Sequence, residues 1–429
     1  MLTLATATSR ASEEIPAPPQ SQPILLKGGT IHPVSGAVIE SGEILLEQGK
    51  IKAIGKNLTL PANTKSIDVS GKQIYPGLIS SNSSLGLIEI SSVRGSVDTT
   101  ETGSINPNIR AEVSVNPDSE LLPVTRTNGI LTALTIPQIA DNGLVAGTGA
   151  VIKLDGWTWE DMTLKAPVGM HIYWPDLVIN RDPRFPTSPE DQVEATEKSL
   201  RQLKETFAVA RAYQKARQVE NSSQGADLRL EAMLPVLEGK VPVFIHADEV
   251  KQIKSALDWT ASEKLSMVLV GGVDAWRVAK LLKARDIPVI VSPVMRLPLR
   301  RSDSYDEPYA NPGLLAAAGV RFAISVGEND THLQRNLPYQ AAMAAAFGLP
   351  KEEALKSVTL YPAQILGVGD RLGSLEVGKD ATLIVTTGDP LEITSNVEMA
   401  FIQGRPIDLG NRQIRLYEKY KQKYDQIKK

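Results

Sequence analysis

Apolar and polar positions alternate along this chain in three regimes. From Pro23 to about Tyr75 the apolar residues come in short runs, at 24–26, 28–32, 42–47 and 49–55, each bounded by Gly, Pro or Asn. Runs of that length with those boundaries predict the strands of a small β-sandwich. Beyond Pro76 the period changes. Apolar stretches at 129–136, 241–246, 266–272, 288–292 and 320–325 are separated by helical patterns at about 250–263, 275–284 and 312–318. Short apolar strands alternating with helices predict an α/β fold with a parallel sheet, and their number predicts a (β/α)8 TIM-like barrel with a strand or two unplaced. Strand patterns linked by hairpins return at 373–385 and 397–405. The two β-rich ends are therefore expected to pair into one sandwich domain beside the barrel.

The expected boundaries follow. Residues 1–22 are a segment resembling the tail of a secretory signal plus a Pro-rich extended linker. Residues 23–75 and 373–410 are the two parts of the sandwich, and 76–372 the barrel. Residues 187–218 are charged and strongly helix-forming, with Val193, Leu200, Leu203, Phe207 and Ala210 on one stripe, and are read as a helical insertion over the barrel rim. Residues 411–429 are a basic amphipathic helix with tyrosines, expected to dock on the protein rather than on a membrane. The signal-like start points to a periplasmic or secreted protein, with a cytoplasmic one as the alternative.

Composition narrows the chemistry. The 46 Lys and Arg against 49 Asp and Glu give a net charge of −3, which indicates no nucleic-acid partner. No apolar run reaches the roughly 20 residues of a membrane span. With no cysteine, disulfides and thiolate metal sites are excluded, and the 4 histidines are a sparse supply of metal ligands. There is no P-loop, no nucleophile elbow and no dinucleotide fingerprint, and the glycine-rich Gly143-Leu144-Val145-Ala146-Gly147-Thr148-Gly149-Ala150 lacks the lysine of a phosphate cradle.

The phrase Pro76-Gly77-Leu78-Ile79-Ser80-Ser81-Asn82-Ser83-Ser84 reads as a buried strand opening into a polar loop, the place where parallel α/β proteins carry their chemistry. It resembles the PGLID-x-H-x-H signature of the amidohydrolase superfamily. Gly373-Ser374-Leu375-Glu376-Val377-Gly378-Lys379-Asp380-Ala381-Thr382-Leu383, Gly388-Asp389-Pro390-Leu391 and Thr359-Leu360-Tyr361-Pro362-Ala363-Gln364-Ile365-Leu366-Gly367 resemble further phrases of the family, nearest to imidazolonepropionase-like members. The resemblance spans about residues 24–408. It implies hydrolysis of a carbon-nitrogen bond, in an amide, cyclic amide or small peptide, by water activated on a divalent metal such as zinc.

The same resemblance locates what is missing. Asn82 and Ser84 stand at the two histidine positions, Ser80 replaces the aspartate, Gly271 lies where another ligating histidine is expected, and Gly327 stands at the strand-8 aspartate position. His246, closing the strand at 241–246, matches the strand-5 histidine and is the candidate ligand or proton carrier, with Asp248, Glu328 and Asp330 as helpers. A lone histidine is short of the roughly three protein ligands of a catalytic zinc. A carbamylated lysine, which the family also uses, leaves no sequence mark. His332 is read as a surface residue and His32 and His171 as structural. Glu89, Asp98, Glu101 and Glu112 are carboxylates for metal-free acid-base chemistry. Three expectations follow, in order: a hydrolase with a degenerate metal site; a catalytically inactive relative that binds a small ligand or a partner, either a second copy or a related amidohydrolase; and a metal-free hydrolase.

Overall fold

The computed structural model describes residues 14–140, 143–182, 184, 186–218 and 225–427, so the signal-like reading of the first residues lies outside the described residues. The N-terminal strands are β1 (Ile24–Ile31), β2 (Ile39–Glu47), β3 (Lys50–Gly55), β4 (Lys65–Asp68) and β5 (Gln73–Pro76). The barrel uses β6 (Leu78–Ser83), β7 (Ile130–Thr135), β8 (Val145–Lys153), β9 (Thr163–Tyr173), β10 (Val243–Ala247), β11 (Met267–Gly271), β12 (Val289–Val291) and β13 (Phe322–Ile324). The chain then returns to the first sheet with β14 (Leu383–Thr386), β15 (Val397–Ile402) and β16 (Arg405–Ile407).

The two chain ends form one eight-stranded sheet in the order β16-β15-β14-β5-β1-β2-β3, with β4 beside β1. The junction is the antiparallel pair β5 and β14, with Tyr75 opposite Ile384. Ile24, Leu26, Ile44, Ile74, Leu383 and Phe401 from both ends share one buried core. Under it, Asp380 is buried and accepts from Lys50 Nζ at 2.5 Å and Arg371 Nη2 at 2.7 Å.

The barrel sheet runs β13-β12-β11-β10-β9-β8-β7-β6. Its two edges do not pair directly. Residues 357–358 fill the seam: Ile324 N donates to Ser357 O at 3.0 Å and Ile79 N to Val358 O at 2.9 Å. Above that point Ser81 Oγ donates to Ile324 O at 3.3 Å. Each of the eight strands gives the interior an apolar residue, among them Ile79, Leu134, Val151, Val168, Phe244, Val268, Ile290 and Ala323, and Ala363, Ile365 and Leu366 from the helix Leu360–Ile365 and its end close the floor. This fills the barrel below and leaves the C-terminal rim open, as the fold requires.

Four expectations are corrected. The alternation of strand and helix fails at β8, which pairs antiparallel with both β7 and β9, so these three form a meander with no crossover helix. Strands β8 and β9 escaped the sequence reading because glycines interrupt the first and Pro167 the second. The helix Pro189–Arg217 is no insertion, since with Leu228–Leu237 it is the connection from β9 to β10. Its polarity belongs to its outer face. Leu203, Phe207 and Ala210 are fully buried, and Phe207 meets Trp259 edge-on at 4.9 Å. The C-terminal helix Arg412–Ile427, expected to dock, has no buried residue. The Pro-rich segment, read as an extended linker, is fastened to the body, for Gln20 Nε2 donates to Leu46 O at 2.9 Å and Arg405 Nη1 to Ala17 O at 2.9 Å.

Asp380 joins the two parts of the chain by charge. Burial opposes its ionisation, but the hydrogen bonds from Lys50 and Arg371 outweigh that and hold its carboxyl below the usual range. Asp380→Ala is expected to cost about 2 kcal/mol in urea unfolding at pH 7, less than a fully buried pair because Lys50 stays half exposed. A group with a depressed folded pKa stabilises above its unfolded pKa and loses that contribution as pH falls through the folded value. The wild-type and variant curves should therefore converge in acid.

Candidate functional site

A cavity of about 400 Å³ opens at the C-terminal rim of the barrel, lined by Asn82, Tyr173, His246, Asp248, Gly271, Ser292, Gly327, Glu328 and Asp330 among others. Side chains two apart on a strand share a face, so Phe244 in the apolar layer puts His246 above it, and His171 on β9 puts Tyr173 above it. Parallel pairing of β9 and β10 brings the four together.

His171 Nδ1 and His246 Nε2 are 3.0 Å apart and share one hydrogen. Tyr173 stacks on the His246 ring at 3.9 Å and 13°. The other side of His246 faces the acid: Nδ1 lies 3.7 Å from Glu328 Oε1. Asn82 Nδ2 donates to Glu328 Oε2 at 2.5 Å. His171 is thus corrected from a structural residue to a partner of the site, while His32, hydrogen-bonded to Gln73 at 2.7 Å and stacked on Tyr75, lies in the other sheet.

Burial sets the electrostatics. Desolvation pulls His246 down to about 3 and, with the neighbouring His246, pulls His171 well below its ordinary value, so both imidazoles are neutral near pH 7. Desolvation pushes Glu328 up, partly offset by its hydrogen bonds from backbone and Asn82. Desolvation also raises Asp248, which accepts from Val273 N and Ser292 Oγ at 3.3 Å each. Tyr173 is pushed far up by burial and by Glu328, so its phenol keeps its proton.

The positions at which the resemblance expects metal ligands are filled differently. Gln334 Nε2 donates to Gly327 O at 2.7 Å, and its Oε1 accepts from Ser80 Oγ at 2.7 Å. Ser84 Oγ accepts from Gln138 Nε2 at 3.1 Å. Gly271 has φ of +97°, and a Cβ there would meet Asp248 Oδ1 at 2.5 Å, so a ligating side chain would be strained and would have to displace the Asp248 carboxylate. An amide, a hydroxyl and two glycines offer neither imidazole nor carboxylate at positions 82, 84, 271 and 327. Among the described residues no three His, Asp or Glu side chains converge as a metal site would need. The residues present do not fit the metal that the resemblance implies.

Of the other candidates, Asp248, Glu328 and Asp330 line the cavity and His332 is exposed. Glu89, Asp98, Glu101 and Glu112 do not line it: Glu112 pairs with Arg110 at 2.6 Å, and Glu89 is hydrogen-bonded to Ser119. Sequence reasoning missed Tyr173, Gln138 and Gln334. The alternation through Val168-Gly169-Met170-His171-Ile172-Tyr173 was the available signal for the first, and Gly149 fits it, since a Cβ there would stand 2.8 Å from His171 Nε2. Nothing local marks the two glutamines.

These shifts give opposite stability slopes. His246 binds its proton more tightly when unfolded, so the stability it carries is whole above 6.5 and is lost as pH falls from there toward about 3, and His171 is shifted in the same direction. His246→Gln should flatten that limb by up to about 1.4 kcal/mol per pH unit. Glu328 binds its proton more tightly when folded, so its contribution is lost as pH rises above its unfolded value of 4.5. Glu328→Gln should be more stable than wild type at pH 8, with no difference below 4.5. Urea titrations across pH check both.

Comparison with known proteins agrees with the architecture. The amidohydrolase family matches residues 143–407, well over half of the chain. The chain is 22% identical over 408 residues to Amidohydrolase tasK of Hapsidospora irregularis, covering 85% of the chain but only 39% of that protein, so it spans about two fifths of that relative's length. It is 25% identical over 393 residues to the imidazolonepropionase of Fusobacterium nucleatum, covering 81% of the chain and 86% of the relative. Among solved structures, an amidohydrolase from Thermotoga maritima superposes with a TM-score of 0.78 at 26% identity, over 90% of this chain and 99% of that one. With its eight-stranded barrel and its second sheet made from both chain ends, the protein belongs to the amidohydrolase family.

Proposed function

We propose that this chain binds a compact amide or cyclic amide in the rim cavity and performs no metal-assisted hydrolysis on it. The observation that carries this reading is the amide network in which Asn82 stands at one position where the family resemblance expects a metal ligand, while Gln334 and Gln138 hydrogen-bond to the residues at 80, 327 and 84. Among the described residues, three buried polar atoms of cavity-lining side chains have no hydrogen-bond partner: the acceptor Asn82 Oδ1, the hydroxyl of Tyr173 and the indole Nε1 of Trp174. An unpaired buried polar atom is costly, so a ligand that reaches Asn82 Oδ1 and the Tyr173 hydroxyl gains affinity from each. A cyclic amide presents N–H and C=O on one edge and suits that pair. The relatives named imidazolonepropionase support the same ligand class.

Metal-independent hydrolysis is the second reading, favoured by the raised carboxyl of Glu328 beside His246. Magnitudes weigh against it. One positioned acid or base supplies about 10²–10⁴-fold, and one oxyanion donor such as Tyr173 about 10²–10³-fold. Together they reach about 10⁴–10⁷, the lower end of what enzymes achieve. A neutral His246 with its basicity lowered to about 3 is a poor base at pH 7.

The test is a thermal-shift and calorimetric screen of five- and six-membered lactams, imides and cyclic ureides, with turnover followed in parallel. Binding without turnover, weakened about tenfold by Tyr173→Phe or Asn82→Ala, is expected. Turnover that a chelator abolishes and zinc restores would overturn the proposal, while turnover indifferent to chelator and lost in Glu328→Gln would establish the second reading.

A further inference from the structure

Among the described residues, the helix Arg412–Ile427 is held at its start. Asn411 is buried, its Oδ1 accepts from Ile414 N at 3.0 Å, and its Nδ2 donates to Thr127 Oγ1 at 2.8 Å. Arg415 pairs with Glu120 at 3.3 Å. No residue of the helix is buried. At 100° per residue, Leu416, Tyr417, Tyr420, Tyr424 and Ile427 fall within about 100° of arc, and each is more than 40% exposed. Lys421 and Lys423 flank this stripe on its two sides, each with its ammonium over a tyrosine of the stripe at about 6 Å.

Charge is segregated onto this segment. Residues 411–429 hold seven Lys and Arg against two carboxylates, and since the whole chain carries −3, the remainder carries −8. A basic helix with an aromatic and aliphatic stripe has two natural occupants, a second copy of itself or an anionic surface. The spacing Tyr417, Tyr420, Tyr424 and Ile427 is a heptad seam, but it lasts under two heptads where a stable coiled coil needs three or four. In that register Lys421 and Lys423 take the two seam-flanking positions, so paired copies would set lysine against lysine. The acidic body disfavours a second copy of this chain as a whole no less than it leaves the helix as the cationic end. Tyrosine sits well at a lipid interface, with its ring among acyl chains and its hydroxyl in water, and lysines beside it keep their ammonium groups at headgroup level.

We propose that Arg412–Ile427 is a surface anchor that lies in the interface of an anionic lipid membrane, tethering the barrel without spanning the bilayer. The occupant is the headgroup layer of an acidic phospholipid, recognised by charge and by shallow burial of the tyrosine stripe. The cavity is untouched by this contact.

The test is co-sedimentation of the full chain with vesicles of phosphatidylcholine alone or of equimolar phosphatidylglycerol and phosphatidylcholine. Binding to the acidic vesicles only, released by about 0.5 M salt, is expected. Lys421→Glu/Lys423→Glu and Tyr420→Asp/Tyr424→Asp should each weaken it by about tenfold or more. Because no helix residue is buried, both variants should keep the wild-type urea midpoint, which separates lost binding from lost folding. Equal recovery with neutral and acidic vesicles, or no binding to either, would overturn the proposal. So would a concentration-dependent dimer in sedimentation velocity that the tyrosine variant dissolves.

Discussion

A barrel sheet has two edges, and each must find partners for its backbone groups. Here the edges β6 and β13 never pair with one another; the backbone at 357–358 is inserted between them and bonds to both. Everything else in the barrel depends on that closure. It completes the ring of eight strands around the apolar layer from Ile79 to Ala323, and the same stretch of chain leads into the helix that seals the floor. Once the floor is sealed, the only open end is the rim where the strands finish. The cavity and its side chains are consequences of that asymmetry.

At the rim, desolvation is the largest influence on His171, Tyr173, His246, Asp248 and Glu328, and the hydrogen-bonding partners around them are neutral. Asn82 donates to Glu328, His171 faces His246, and Gln334 ties together the loop carbonyl at 327 and the serine at 80. A metal would have compensated two or more carboxylates at once. Amides satisfy hydrogen-bonding valence without bringing charge, which suits a site that holds a neutral molecule.

How much of this was legible in the sequence depended on whether the signal was local. The strands at 243–247 and 267–271 and the helix Val250–Glu263 were readable because their apolar period is clean and their ends carry turn residues. The phrase from Pro76 identified the family scaffold, and its substituted positions were visible at once. The meander of β7 to β9 was hidden because glycine and proline are poor strand formers, and only the tertiary contacts of Gly149 and His171 explain them. His171 looked structural for the same reason, since its role comes from register with β10. Glutamines at 138 and 334 carry no motif, and the helix at 189–217 looked external because most of its residues face water.

The sheet shared by the two ends of the chain also has a consequence in time. Strand β5 is made before the barrel, yet its partner β14 lies more than three hundred residues later, with Tyr75 waiting for Ile384. At ordinary translation speeds that interval is roughly 15–60 s. Throughout it, β5 presents an open edge and Ile24, Leu26 and Ile44 lack half their core, while the barrel grows beside them. The unpaired edge of β5 is therefore an aggregation hazard for as long as the barrel is being made, and only the later β14 can cover it.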